Sequence, residues 1–251
     1  MDTTLRFSDR VSNYVKFRPS YPVKMIEYLV SSVGDSQLKT CADIGSGTGI
    51  LAQLLVPHFA NVFGVEPNLE MRIAGEKFLS DQGNFRSFPG TAEQTGLSDR
   101  SVDLVTVAQA FHWFDRAKFR NECKRILRSD GHVALIWNNR LVNTPLLERY
   151  EAVLRHYADD YNEVNHQNIS AEQLHEFFGG EYERKEFPNK QEFDLQGLFG
   201  RLDSSSYAPK PGTKNYGIIR KELTESFKNF SQNGCIDFNY RAELYWGRIK
   251  D

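Results

Sequence analysis

The stretch Asp43-Ile44-Gly45-Ser46-Gly47-Thr48-Gly49 constrains this chain more than any other part of it. It follows an apolar run, Leu38–Ile44, that reads as a buried strand, and it precedes Leu51, Leu54 and Leu55, which share one face of a helix. A strand, a glycine turn and a helix in that order put a ligand at the carboxyl end of a parallel sheet, where the backbone can be approached closely. Glycine recurs at 45, 47 and 49, whereas the dinucleotide fingerprint needs it at 50, which is Ile50. No Gly-Lys-Ser/Thr follows, so the phosphate loop fails as well.

A turn of this kind with an acid at the strand end suits a ligand that has a cationic amino group and no pyrophosphate. The amino-acid end of S-adenosylmethionine fits that description, with Asp43 receiving the ammonium directly or through water. The next strand, Asn61–Glu66, ends in Val65-Glu66-Pro67, so a second acid stands 23 residues beyond the first, where it can accept both hydroxyls of a ribose. The alternative is that 43–49 is only a tight turn and Glu66 only a solvated side chain.

The rest of the chain alternates in the same way, which argues for a parallel sheet. A helix is expected over Val23–Val33 and another through Met71–Leu79. Strands are expected near Asn84–Phe88, at Val102–Ala108 and at His132–Trp137. Phe119, Cys123, Ile126 and Leu127 share a helix face that ends near Ser129-Asp130-Gly131. Upstream, the prolines of Phe17-Arg18-Pro19-Ser20-Tyr21-Pro22 break any continuous helix and suggest a mobile lid. From about Leu141 to Gly180 a polar, helix-like segment looks inserted after the fifth strand, over the carboxyl edge of the sheet.

With 251 residues, 40% apolar and 25% charged, the chain can bury a sizeable core. A net charge of -2 gives no global basic field, so a nucleic-acid partner is not favoured. No apolar run approaches the roughly 20 residues of a membrane span, and Met1–Arg6 lacks the apolar core of a signal peptide, so a cytoplasmic location is expected. Cys41, Cys123 and Cys235 are far apart and odd in number, and the histidines and acids show no metal-ligand spacing, so no metal is expected.

The order Asp-Ile-Gly-Ser-Gly-Thr-Gly, Gly-Val-Glu-Pro, Gly-Thr-Ala-Glu and Val-Asp-Leu-Val resembles the class I S-adenosylmethionine-dependent methyltransferases over roughly residues 35–140. The flanks Tyr14–Pro22 and Gln109-Ala110-Phe111-His112-Trp113-Phe114-Asp115 are similar to the small-molecule branch that includes trans-aconitate methyltransferases. The end of the fourth strand lacks the Asn/Asp-Pro-Pro-Tyr/Phe motif of enzymes that methylate amino groups of DNA bases or glutamine.

The resemblance implies an α/β fold: a Rossmann-like, seven-stranded, mostly parallel sheet with helices on both faces, an N-terminal lid and a helical insertion after the fifth strand. One domain, 1–251, would comprise an arm and helix (1–34), a cofactor-binding core (35–140), a helical insertion and substrate cover (141–234) and a closing strand (235–251). The implied cofactor is S-adenosylmethionine, with S-adenosylhomocysteine as product. Asp43, Gly45, Ser46, Gly47, Glu66, Ala92 and Glu93 would hold it, joined by Gln109 at the sheet edge and by Tyr14 and Arg18 from the arm.

On the substrate side, Arg18 and Arg140 are candidates to clamp an anion, since the arginine fork matches two carboxylate oxygens; a surface salt bridge is the alternative for each. Tyr21, Trp113, Ser206 and Tyr207 are candidates to line the pocket, against plain packing or an ordinary turn. His112, just past the fourth strand, could act as base or substrate donor, or simply pack. The expected activity is methyl transfer to a small molecule at a carboxyl or hydroxyl oxygen. Carbon or nitrogen methylation, or cofactor binding without turnover, are the alternatives. Oligomeric state leaves no trace in the sequence.

Overall fold

The computed structural model describes residues 11–158, 161 and 169–250; the first ten residues of the expected arm lie outside the described residues. Chain order runs α1 (Val11–Phe17), α2 (Val23–Val33), β1 (Thr40–Ile44), α3 (Ile50–Leu55), β2 (Asn61–Val65), α4 (Leu69–Phe78), β3 (Phe85–Phe88), β4 (Val102–Ala108), α5 (Arg116–Ile126) and β5 (Leu127–Arg140). There follow α6 (Pro145–Tyr157), α7 (Ala171–Phe178), β6 (Glu183–Phe193), α8 (Leu195–Asp203), α9 (Lys214–Phe230) and β7 (Ile236–Gly247).

The strands form one seven-stranded sheet in the order β3-β2-β1-β4-β5-β7-β6, which is the expected fold class. Strands β1 to β5 pair in parallel, and β7 runs antiparallel to both its neighbours. Strand order reverses between β1 and β4, the place where ligands bind in such sheets.

Burial explains the layering. Every residue of β1 is buried, as a central strand covered on both faces requires. Alternate positions separate: Cys41, Leu104, Ala134 and Ile136 pack with Met25 and Leu29 of α2 and with Leu51 and Leu55 of α3. On the opposite face Ala42, Ile44, Val105 and Leu135 pack with Phe119 and Cys123 of α5 and with Phe177 of α7. The strand period of two thus assigns each residue to a helical layer.

A third cluster joins α6, α8 and α9 to the ends of β6 and β7 through Leu147, Tyr150, Leu198, Leu223 and Phe238. The 141–234 segment is therefore not purely helical: it also supplies β6. That strand reads exposed and polar at alternate positions because it is an edge strand, which hides the signal a buried strand gives. Strand β5 is longer than expected, reaching Arg140 because β7 pairs along it from Val133 to Arg140. The arm bends at Pro19 and Pro22, and α1 is seated against α8: a Cβ on Gly200 would lie 2.2 Å from the Phe17 ring. Among the described residues no helix is long and apolar enough to cross a membrane.

Candidate active site

The glycine turn is fixed by its neighbours. The Gly45 and Ser46 amides donate to the Val65 carbonyl at 2.8 and 3.1 Å. Gly45 has φ 70°, and a Cβ there would come within 2.7 Å of the Ala110 Cβ, so both conformation and space require glycine. The Gly47 amide donates to Glu66 Oε2 and the Asn68 amide to Glu66 Oε1, each at 2.9 Å. Glu66 thereby ties the turn after β1 to the turn after β2. A carboxylate has about four acceptor sites, so two remain for a ligand.

Asp43 is 1% exposed and accepts a hydrogen bond from Thr106 Oγ1 at 2.9 Å, from the residue that pairs with it across β1 and β4. Burial, with a smaller push from Glu66, raises its carboxyl to about 7 despite the Thr106 and Ala52 hydrogen bonds. No cation pairs with it among the described residues. The neighbouring Thr48 hydroxyl is buried and has no hydrogen-bond partner among the described residues.

Two cavities meet over this edge and share Tyr14, Gly45, Ala108 and Gln109. The first continues past Glu66, Asn68 and Met71 to Ala92, Glu93, Trp113 and Phe114. The second is lined by Asp43, Ser46 and Thr48 and by Arg18, Arg140, Arg155, Arg201, Glu151, Tyr21, Tyr161 and Tyr207. Gln109 stands at their junction with φ 59°, a left-handed conformation that is uncommon outside glycine and marks local strain.

The arginines of the second cavity are held in different ways. Arg18 Nε and Nη2 donate to the Ser204 carbonyl at 3.2 and 3.0 Å, and its guanidinium lies over the Tyr14 ring at 4.8 Å. Burial and the charge of Arg201 lower its pKa. Arg140 pairs with Glu151, donates to the Tyr161 hydroxyl at 2.7 Å and lies over the Tyr150 ring at 4.5 Å. Arg201 is 6% exposed and donates only to hydroxyls, to Tyr240 at 2.9 Å and to Ser205 at 2.7 Å. Burial would raise the Tyr207 phenol, but Arg201 and Arg140 outweigh it and lower its pKa.

The structure thus brings Asp43, Gly45, Ser46, Gly47, Glu66, Ala92, Glu93, Gln109, Tyr14, Arg18, Arg140, Tyr21 and Tyr207 around two joined cavities. Trp113, expected to wall an adenine or substrate pocket, lines the cavity with Glu66. His112 lines neither cavity. It sits in the 3-10 turn Phe111–Trp113, where side chains point about 120° apart; Phe111 fills the core, Trp113 takes the cavity, and His112 packs its ring 4.5 Å from Trp113. Ser206 also lines neither, since Ser204 and Ser205 are the residues of that turn that reach Arg201.

Sequence reading missed Arg201, Thr106, Thr48, Glu151 and Tyr161. Arg201 left a signal: it stands on the buried stripe of α8 with Leu198 and Leu202, where a charge is out of place unless partnered. Among the described residues no group of histidines, cysteines and acids could hold a metal ion.

Residues 42–135 match the family described as a methyltransferase domain. An uncharacterized methyltransferase of Mycobacterium tuberculosis is 39% identical over 139 residues, which are 55% of this chain and 54% of that protein. The chain thus spans about half the length of that relative. An uncharacterized methyltransferase of Schizosaccharomyces pombe is 26% identical over 244 residues, 95% of each chain. Among solved structures, the YcgJ protein of Bacillus subtilis shares the fold with a TM-score of 0.59 at 22% identity, over 90% of this chain and 99% of that one. Geranyl diphosphate C-methyltransferase of Streptomyces coelicolor, in complex with S-adenosyl-L-homocysteine, does so with a TM-score of 0.51 at 14% identity, over 90% and 77%.

Proposed function

We propose, from the premise that this chain carries a class I S-adenosylmethionine-dependent methyltransferase domain, that the whole protein is a cytosolic enzyme methylating an oxygen of a small anionic molecule. The observation that carries this reading is the pair of cavities that meet at Gln109, one lined by Glu66 and the other by Asp43 together with arginines.

The cofactor supplies a methyl group on a positively charged sulfur. Asp43 would receive its ammonium, Arg18 its carboxylate and Glu66 the ribose hydroxyls. Ala92, Glu93 and Trp113 would border the adenine, and Tyr14 would cover the junction. Methyl transfer is an in-line displacement that neutralises the sulfonium, so the protein has to align the two molecules and keep water out. Buried Tyr21 and the seated arm serve the second task.

A carboxylate acceptor is already ionised near neutral pH and needs positioning rather than a base. That is consistent with His112 lying away from both cavities and with guanidiniums where a base would otherwise stand. The decisive experiment offers the protein methyl-labelled cofactor with panels of carboxylic acids, phenols and amines. The expected product is a methyl ester that releases labelled methanol in alkali. Label that is stable to alkali would mean a carbon or nitrogen acceptor, and no labelled product from any panel would reject the enzymatic reading.

A further inference from the structure

The arm reaches the cavities from a seat that a distant part of the chain provides. Tyr14 and Arg18 are cavity residues, and the stretch just beyond them holds Pro19 and Pro22, which have no N–H and let no regular ladder form. Phe17 ends α1, so its carbonyl is among those left without a partner inside the helix. Side-chain amides supply the donors instead. Gln191 Nε2 donates to the Phe17 carbonyl at 3.3 Å, and Asn189 Nδ2 and Asn138 Nδ2 donate to the Ser20 carbonyl at 2.7 and 3.1 Å. Arg18 lies between the two carbonyls so held, and its own guanidinium ends on the Ser204 carbonyl.

Asn189 and Gln191 stand on the edge strand β6, at alternate, less exposed positions shared with Phe187 and Phe193. Apolar side chains suit such positions, and amides there need partners. Neither amide lines either cavity. Gln191 is itself oriented from behind: Arg201 Nε donates to the Tyr240 hydroxyl at 2.9 Å, and that hydroxyl donates to Gln191 Oε1 at 2.9 Å. A guanidinium can only donate and a backbone carbonyl can only accept, so the direction of every bond from Arg201 through Tyr240 and Gln191 to Phe17 is fixed. Bonds aligned head to tail in this way strengthen one another. The relay needs a side chain at 191 that accepts at one atom and donates at the next. Glutamate has the same shape but would set an oxygen against the Phe17 oxygen.

We propose that Gln191 is a positioning residue for the methyl donor: it holds the arm backbone on one side of Arg18, as Asn189 does on the other, and so aims the Arg18 guanidinium at the amino-acid end of the cofactor. This rests on the methyltransferase reading given above, in which Arg18 receives the donor's carboxylate. Donor binding then depends on a strand that lies outside residues 42–135, the segment that matches the methyltransferase family.

The full chain and its Gln191→Met and Gln191→Glu variants are titrated calorimetrically with S-adenosylhomocysteine and with methylthioadenosine, which has the same nucleoside and sulfur but no amino-acid end. Amide hydrogen exchange from Tyr14 to Arg18 is followed in the ligand-free proteins. Each variant should bind S-adenosylhomocysteine about fivefold more weakly, the worth of one ordinary hydrogen bond, while methylthioadenosine affinity stays within about twofold. Exchange over the arm should be faster in both. Unchanged S-adenosylhomocysteine affinity, an equal loss for the two ligands, or unchanged exchange over the arm would overturn the proposal. Either variant alone is sufficient, so misfolding of one leaves the test intact. A wild-type chain that binds neither ligand would count against the methyltransferase reading instead, while the exchange measurement still reads the hold of Gln191 on the arm.

Discussion

The raised carboxyl of Asp43 should make the proposed cofactor binding and the fold stability respond to pH in opposite senses. Burial holds this acid at about 7, against 3.8 for a free side chain. A carboxyl raised by folding contributes stability that is complete below its unfolded value and disappears as pH climbs through about 7. A shift of this size corresponds to on the order of 4 kcal/mol. Asp43→Asn removes the ionisable group, so the ligand-free variant should be more stable than wild type at pH 8, by up to about 4 kcal/mol in urea unfolding, with the gap narrowing to about 2 kcal/mol at pH 5 and closing below the unfolded value. Cofactor affinity should move the other way, since the ammonium needs the ionised acid. Wild-type affinity should be level above pH 8 and fall about tenfold between pH 8 and pH 6, one pKa unit being worth about 1.4 kcal/mol. Asp43→Asn should bind weakly with little pH dependence. Calorimetry in two buffers of different ionisation heat reads the released proton directly. A wild-type affinity that is flat from pH 8 to pH 5.5, or the same slope in the variant, would refute the assignment of the ammonium to Asp43.

Three further outcomes are expected. Glu66→Ala removes the acceptor of two backbone amides and should weaken S-adenosylmethionine by about 1–3 kcal/mol in calorimetry, with some loss of thermal stability from the two orphaned N–H groups; unchanged affinity would count against the ribose role. Thr48→Val deletes a buried hydroxyl without a partner, so the ligand-free melting temperature should hold or rise while cofactor affinity drops by about 0.5–1.5 kcal/mol; a fall in stability with intact affinity would point to a structural role alone. Gly200→Ala puts a methyl into the Phe17 ring and should cost about 1–3 kcal/mol of stability and reduce cofactor affinity through displacement of Tyr14 and Arg18; cofactor affinity equal to wild type would show that α1 does not need its seat on α8.

The parts of this molecule that were legible in its sequence are those governed by local rules. Gly45 is required by a positive φ and by the nearness of Ala110, and both needs are written into a short motif beside a buried strand. Glu66 was legible for the same reason, standing at a strand end a fixed distance beyond Asp43. The second cavity was not, because it is assembled by residues far apart in the chain. Arg201 reaches Tyr240 across 39 positions, and Arg18 reaches Ser204 across 186. No spacing rule links such pairs. Strand β6 escaped for a different reason: its alternation of exposed charge is what an edge tolerates, and its partner among the described residues, β7, lies much later in the chain. His112 drew attention by residue type and position along the strand, yet the three-residue turn that contains it assigns directions by rotation, and the imidazole received the one that leads away from the cavities.

The place of β7 between β5 and β6 has a consequence for assembly. Strands β1 to β5 pair with one another, so the half of the sheet that carries Asp43, Gly45 and Glu66 needs no later strand to form. Strand β6 cannot join it, because β5 and β6 are bridged only by β7, the last strand of the sheet to be synthesised. The ends of β6 and β7 carry the cluster that holds α6, α8 and α9, and with them Arg201 and Tyr207. The topology therefore allows the half of the sheet with Asp43 and Glu66 to form before the half with Arg201 and Tyr207, which needs β7 in place. Destabilising substitutions in β7, such as Phe238→Ala, should then delay the appearance of the acceptor site during refolding more than that of the donor site.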